Sequence, residues 1–534
     1  MNIRIFKNTN LCVNNMWFYP ACLFMMVILF VLSPFTESGF IWIYLGIFAM
    51  ILWTFRPSSQ LYKETIENLT GWKLILTVLA AVVTVIACIW PMDRLPTWNG
   101  VDPGHRTQYE LMAEAILQGH VYIDYGDEEE MEQLEQMENP YDPQERIDNN
   151  IVYRWDHAYY DGHYYMYFGV VPVFLIFLPY RIITGMPLTT YHATQVFVAV
   201  FIIGIFVLFR LLAKLFFKNL SFWVYLALSV SFSVMSVWYS TVEPALYCTA
   251  ITCAMVLEIW SLYFYIRAGW AETRENRQIA YAFIGAFLGA LAFGCRPPIA
   301  LANILVLPML IFFLRQRKIT LKLVGKLILA AFPYIIIGAA LMAYNYVRFD
   351  DPFEFGQAYQ LTAADQTQYK ISLDLETINR VARDGIRNFF DWGYISSEFP
   401  YLQCGGVFFN FPVLLLCFGI LKSRVRTTMR QNKILSLVIG FFVTVLIIVS
   451  VDIMWSPYLL ERYRMDIYFL LGIACFGVIG FWQKDSTVKT KSILNFTTII
   501  FSIITLCSSV AFHISTATLY DANLVNAVKE LLHI

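Results

Sequence analysis

The chain has 534 residues, of which 58% are hydrophobic and 14% charged. Soluble domains run nearer roughly 45–50% apolar and about 25% charged, so an ordinary soluble globular protein is excluded and an integral membrane protein is expected. The formal net charge of -1 provides no global basic field for nucleic acid. The ten cysteines are scattered, with no CxxC and no Cys/His cluster, so nothing in their spacing marks a zinc site. Cofactor use stays open, a divalent cation included.

A spanning helix needs about twenty mostly apolar residues. At the N-terminus Arg4 and Lys7 precede an apolar run from Trp17, and no small-residue cleavage pattern follows, which reads as a retained signal anchor. In chain order the predicted spans are 17–34, 39–55, 72–91, 193–213, 221–240, 244–266, 278–295, 299–314, 324–347, 404–421, 434–452, 463–482 and 492–511. The expected fold is therefore an all-α polytopic membrane protein with about 13 transmembrane helices. Residues 1–71 form a two-span N-terminal extension and 72–534 the main membrane domain.

Basic residues set the orientation. They cluster at Arg56/Lys63, Arg210/Lys214/Lys218, Arg267/Arg274/Arg277, Arg315/Arg317/Lys318, Lys422/Arg424/Arg426 and Lys484/Lys489/Lys491. With the N-terminus cytoplasmic, every cluster falls inside, provided that Phe168–Gly185 does not cross. That run carries Pro172, Pro179 and Arg181. Proline breaks the helical ladder and Arg near the bilayer centre is costly, so a re-entrant segment is expected there. Two long segments then lie outside, 92–167 and 348–405. The first holds seventeen Asp and Glu against four Arg and no Lys. Juxtamembrane helices are expected in it at Tyr109–Gln118 and Asp127–Glu138, and an amphipathic piece at Leu373–Phe390 in the second. Cys295 and Cys404 both fall at outer ends, without a spacing that pairs them.

Four groups on this outer face carry candidate chemistry. The first is Asp102, His105, Arg106, Tyr109 and Glu110. A carboxylate at the membrane surface can take a proton from an acceptor, and Asp102 stands out because Pro103-Gly104 fixes a turn ahead of a helix; simple solvation is the plain alternative. The second is Trp155, Asp156, His157, Tyr159, His163 and Tyr164. Aromatic faces beside carboxylates suit sugars, although an interfacial aromatic belt has the same composition. The third is the outward arginines Arg296, Arg348, Arg462 and Arg464, which defy the inward bias of positive charge. They suit a lipid-linked phosphate or ion pairs with Asp350, Asp351, Glu461 or Asp466. The fourth is Glu243, between two spans.

The run Asp161-Gly162-His163-Tyr164-Tyr165-Met166-Tyr167-Phe168-Gly169, with Pro172, Pro179 and Gly185, resembles a motif of bacterial membrane glycosyltransferases of the GT-C superfamily. So do Asn345-Tyr346-Val347-Arg348-Phe349 with Pro352-Phe353-Glu354-Phe355-Gly356, and Glu461-Arg462-Tyr463-Arg464-Met465-Asp466. The chain looks like a distant relative of the aminoarabinose transferase and protein O-mannosyltransferase branches, from Trp72 onward. The resemblance implies a multi-pass protein of the bacterial cytoplasmic membrane. It would transfer a sugar from a polyprenyl-phosphate donor to an extracytoplasmic acceptor. On this reading Asp102, Asp156 and Glu110 are the candidate bases. Glu243, Arg296, Arg348, Glu354, Glu461, Arg462 and Arg464 join the aromatic and His residues in substrate binding. The family's acidic pair early in the first outer loop is missing here, since Pro103 follows Asp102.

Rival readings are a flippase-type transporter, a lipid-linked glycan polymerase or ligase, and an inactive membrane partner. A transporter predicts polar residues deep within spans and broken helices, and the spans read as largely clean.

Overall fold

A computed structural model describes residues 18–19, 23–28, 39–93, 107–368, 373–395, 398, 401–455, 460–519 and 522–532. Among them, nine helices are long and apolar enough to cross a membrane: Trp72–Met92, Thr190–Phe216, Phe222–Val242, Leu246–Ala271, Pro297–Leu314, Leu321–Phe349, Leu435–Trp455, Glu461–Lys484 and Val488–Thr518. Two predicted spans contain shorter apolar helices, Ile43–Thr54 and Pro412–Leu421. The predicted span 278–295 becomes the helix Glu275–Phe293, whose first turn is polar. The predicted span 17–34 lies largely outside the described residues. Val173–Thr184 is helical over twelve residues, starting in a wide π-helical turn. At about 1.5 Å per residue it rises about 18 Å, short of the roughly 30 Å hydrocarbon core.

Burial sorts the helices. Glu461–Lys484 is the hub, with 94% of its apolar stretch buried inside the protein, whereas Leu321–Phe349 and Trp72–Met92 bury only 11% and 17%. The outward sides of those peripheral helices are Ile, Leu and Val, as expected where lipid replaces water as solvent. The spans are less clean than their sequences suggest. Glu258 is buried within Leu246–Ile266 and accepts a hydrogen bond from Asn303 Nδ2 at 2.6 Å; Tyr334 donates to Asn303 and lies 3.1 Å from Tyr265 Oη. Polar groups within hydrocarbon persist only when satisfied by one another.

Basic residues tie neighbouring helix ends together: Lys326 pairs with Glu275, Arg317 donates to Gln278 (2.6 Å) and Lys491 to the Asn219 carbonyl (3.0 Å). The acidic insert follows Trp72–Met92. That insert is a folded unit. Thr107-x-x-Glu110 forms a capping box at the start of Gln108–Gln118, and Gly119 closes that helix at φ 92°. Asp127 caps Glu128–Glu135, and a further helix follows at Pro143–Asp148.

A feature not anticipated from sequence comes next. His157–Tyr160 (β1) and His163–Met166 (β2) form an antiparallel hairpin. Its two-residue turn is Asp161-Gly162, with φ 49° and 69°. Both residues have positive φ, which Asp-Gly tolerates and which suits the twist of the flanking strands. Single bridges extend the hairpin to Ile123 on one side and Gln360 on the other. The insert and the segment after Leu321–Phe349 thus share one small platform, with Leu134, Tyr159, Tyr164 and Leu361 as its core. Arg146 is buried beneath it, donating to the Pro140 and Thr362 carbonyls at 2.5 Å.

The platform is joined to the bundle through Gly169. The Val171 amide donates to the Gly294 carbonyl at 2.9 Å. A Cβ on Gly169 would lie 2.3 Å from that carbonyl oxygen and 2.5 Å from the Cys295 oxygen. No side chain fits there, and backbone cannot yield as a flexible side chain can. Gly169→Ala should cost about 1–3 kcal/mol of stability, read as a lowered unfolding midpoint in detergent. Gly269→Ala is the control, because nothing lies within 4 Å of its Cβ position. Equal midpoints for the two variants would show that the close approach does not constrain the fold.

Candidate functional site

Where the hairpin begins, Asp156 sits in the left-handed region at φ 57°, a conformation that Asp tolerates better than most residues. Its carboxylate is buried, 6% exposed. Oδ1 accepts from Gln360 Nε2 at 2.8 Å and Oδ2 accepts from the Tyr247 hydroxyl. The Trp155 side chain lies beside both Asp156 and Tyr247, with half of its surface exposed. Burial raises the Asp156 carboxyl above the ordinary carboxylate range. The Tyr247 hydrogen bond, the Arg462 charge and the Gln360 hydrogen bond pull in the opposite direction.

Arg462, at the start of Glu461–Lys484, lies with its guanidinium carbon 4.2 Å from the Tyr247 ring centre and 5.3 Å from that of Tyr463. Tyr463 also lies under Arg296, at 5.0 Å. Arg296 is the N-cap of the Pro297 helix and donates from Nε and Nη2 to Asp466 at 2.8 Å. Asp452, on the neighbouring helix, adds a second carboxylate within electrostatic reach of Arg296 and Asp466. Tyr167 completes the group beside Tyr463, Arg296 and Asp156. Trp155 and Asp156, Arg462 and Arg296 are therefore brought together from three separate chain segments.

The other arginines are engaged elsewhere. Arg348 is buried and donates to the Met166 carbonyl at 2.9 Å and to Asn345 Oδ1 at 2.8 Å, holding β2 to the end of Leu321–Phe349. Arg464 donates to Asn388 Oδ1 at 2.9 Å and the Gly405 carbonyl at 2.5 Å, and pairs with Glu461 at 2.9 Å. Among the described residues Arg462 makes no ion pair; its contacts are the two tyrosine rings and the field of Asp156.

Several candidates serve the fold instead. Glu110 is buried, and its two oxygens accept from the Thr107 amide (2.6 Å) and the Thr190 amide (3.1 Å). It joins two helix N-termini, where a carboxylate is favoured. Tyr109 stacks on Phe177 in the core, ring centres 5.2 Å apart. Tyr164 donates to Glu130 inside the platform, and Tyr159 packs against Tyr164 at 5.8 Å. His163 meets the Tyr122 ring edge-on at 4.2 Å. Glu354 accepts from the Gly356 amide at 2.6 Å in a turn. Glu243 is buried at the end of Phe222–Val242. Asp102, His105 and Arg106 lie outside the described residues. Cys295 has its Sγ 3.5 Å from that of Cys253; Cys253, Cys295 and Cys404 are all free thiols. Among the described residues no group of three or more His, Cys, Asp or Glu side chains is placed to hold a metal ion.

The residues missed from sequence are Tyr247, Gln360, Tyr463 and Asp452. Tyr247 sits in an apolar span with no local mark of function. Gln360 is 204 residues from the carboxylate that it contacts. Only Tyr463 had a signal, lying between Arg462 and Arg464.

No protein-family model matches this chain, and no curated protein does. Among solved structures it is similar to the apo oligosaccharyltransferase of Archaeoglobus fulgidus, at 13% identity and a TM-score of 0.38, covering 82% of this chain. The chain spans 56% of that protein. Similarity at this level carries neither fold nor function.

His157 offers a test of the platform. Its Nδ1 faces the Trp155 carbonyl at 2.9 Å and its Nε2 faces the Tyr125 hydroxyl at 2.7 Å. Burial pushes the imidazole down from 6.5 to about 4. The folded chain keeps this group neutral at pH values where the unfolded chain protonates it. Stability should therefore fall as pH drops from about 6.5 towards 4 and level off below, at about 1.4 kcal/mol per unit of depression. Unfolding midpoints measured across that window should fall more steeply for wild type than for His157→Gln. Parallel curves would remove His157 as the titrating group.

Proposed function

We propose that this chain is a membrane glycosyltransferase of the GT-C type, moving a sugar from a polyprenyl-phosphate carrier to an extracytoplasmic acceptor. The supporting observation is the pairing of a buried carboxylate, Asp156, across the Tyr247 ring with the guanidinium of Arg462, which makes no ion pair among the described residues. In this reading the membrane is the bacterial cytoplasmic membrane, and the hairpin face is the outer face. The acceptor is a cell-envelope glycan, lipid or protein, and the sugar a hexose or pentose.

The chemistry needs few groups. Asp156 takes the proton from the acceptor hydroxyl or amine as its heteroatom forms a bond to the anomeric carbon. The bond from that carbon to the phosphate oxygen breaks, and the phosphate leaves with the electron pair. Phosphate is a good leaving group, so no general acid is needed. Arg462 receives the developing charge through paired N–H donors. A carboxylate raised towards the working pH is a stronger proton acceptor than a solvated one. The half-exposed Trp155 indole offers a flat face for the sugar. Arg296, already matched by Asp466, holds the floor of the site. Asp102, His105 and Arg106 keep the base and substrate-binding roles that the sequence suggests for them.

A second reading, flipping of a lipid-linked sugar without transfer, draws on the buried Glu258–Asn303–Tyr334 network and the uneven helix at Pro297–Leu314, where a short α-helix gives way to a 3-10 turn. Such features suit transporters.

The test is turnover in lipid nanodiscs with a panel of polyprenyl-phosphate sugars, measured as release of polyprenyl phosphate in the presence of candidate acceptors. Asp156→Asn and Arg462→Ala should each lower kcat about 100-fold or more with unfolding midpoints near wild type. Wild-type turnover that survives Asp156→Asn would remove the base assigned here. Movement of labelled donor across vesicles without product favours the second reading.

The pH profile is a further check. Activity needs ionised Asp156, so the rate should fall as pH drops through its raised pKa. Tyr247→Phe and Gln360→Leu each remove a hydrogen bond that favours the charged form, so each should move the acid limb to higher pH. A limb unmoved in both variants belongs to another group.

A further inference from the structure

The helix Leu375–Phe390 belongs to the second outer segment and is held on one side only. Asp374 caps it, accepting from the Thr377 amide at 2.8 Å. Its inner face meets the end of the Leu435–Trp455 span, where Arg380 donates to the Met454 carbonyl at 3.5 Å. Asn388 and Phe389 are buried at its last turn. Its outward face, uncovered among the described residues, carries an apolar row with Asn379, Glu376 and Arg383 along one edge. Leu375, Ile378, Ile386 and Phe390 are 77%, 52%, 65% and 46% exposed, and with Ala382 they follow one another at steps of three and four. That spacing draws a single stripe along the helix. Arg383 and Arg387 lie together on one flank of the stripe, with Glu376.

At its C-terminal end the stripe runs into other uncovered apolar surface. Phe390 lies 5.1 Å from the Phe408 ring and 6.4 Å from Phe418. Trp392, 77% exposed, stacks on Phe409 at 4.2 Å. Phe418 and Leu421 belong to the short apolar helix Pro412–Leu421 and are themselves exposed. The uncovered stripe is thus continuous with the outward surface of the apolar helices, which lipid covers.

We propose that Leu375–Phe390 lies in the plane of the membrane surface, with Leu375, Ile378, Ile386 and Phe390 in the acyl-chain boundary and Arg383 and Arg387 at the headgroups. A helix with one apolar stripe and a charged flank adopts this position, and an indole such as Trp392 is favoured at the same depth. The occupant of the stripe is the bilayer. Water is excluded as the ordinary neighbour of so long an apolar row, and the continuity at Phe390 and Phe418 identifies what takes its place. The helix is also tied to the functional face, because Asn388 receives the Arg464 hydrogen bond two residues from Arg462. The proposal stands whether or not the chain transfers sugar.

The experiment places a photo-crosslinking benzophenone amino acid at Leu375, Ile378 or Ile386 of the full chain in lipid nanodiscs, with adducts identified by mass spectrometry. Ile335, 61% exposed on a spanning helix, is the lipid-facing reference, and Glu132 on the acidic helix is the water-facing one. Lipid adducts at Ile378 and Ile386 should match Ile335 within a few-fold and exceed Glu132 by about tenfold. Adduct levels like those of Glu132 would overturn the proposal. So would crosslinks to a second copy of the chain, which would make the stripe a dimer face. If one substituted position spoils folding on size-exclusion, the remaining two decide.

Discussion

A guanidinium taken out of water must be matched, and breaking a buried pair costs more than the pair contributes. That constraint organises the functional face. Arg296 is matched by Asp466, Arg464 by Glu461 with Asn388 and a carbonyl, and Arg348 by Asn345 with a carbonyl. Each match joins elements that would otherwise be independent: a loop to the hub helix, the amphipathic helix to the same hub, and β2 to a peripheral span. Among the described residues Arg462 makes no ion pair and lies against aromatic faces in the field of Asp156. Its position is set by a frame that the other arginines hold together.

The carboxylate opposite is shaped by a different balance. Burial disfavours its charge, while the Tyr247 and Gln360 hydrogen bonds and the Arg462 charge favour it. Its positive φ turns the chain into β1 directly from the site, so the hairpin and the carboxylate cannot move separately. Glu110 contrasts with it. Both are buried acids of the same insert, but the oxygens of Glu110 are consumed by two backbone amides, and those of Asp156 are held by side chains at the edge of an exposed indole.

The membrane architecture was legible because hydrocarbon imposes long apolar runs, nine of which form helices long enough to span among the described residues. Pro412–Leu421 is a shorter apolar helix than the run 404–421 suggests, since composition alone does not fix where a helix bends. Local signals also existed for the insert. Thr107-x-x-Glu110 is a capping box and Asp161-Gly162 a hairpin turn, although the dense aromatics around the latter drew attention to ligand chemistry first. The pairing of Asp156 with Tyr247 and Gln360 left no trace in sequence. It is made by contacts between distant segments, and neither partner belongs to a residue type or spacing that announces it.

The bridge from Ala158 to Gln360 has a consequence for biosynthesis. A chain made from its N-terminus delivers β1 and β2 long before the segment that flanks them, and several spans must enter the bilayer in between. Until then Tyr159 and Leu134 lack Leu361 as a neighbour, and Arg146 lacks the Thr362 carbonyl. The nascent insert therefore waits half-assembled at the membrane, with greasy rings and a guanidinium uncovered. That interval is when a helper protein has most to protect.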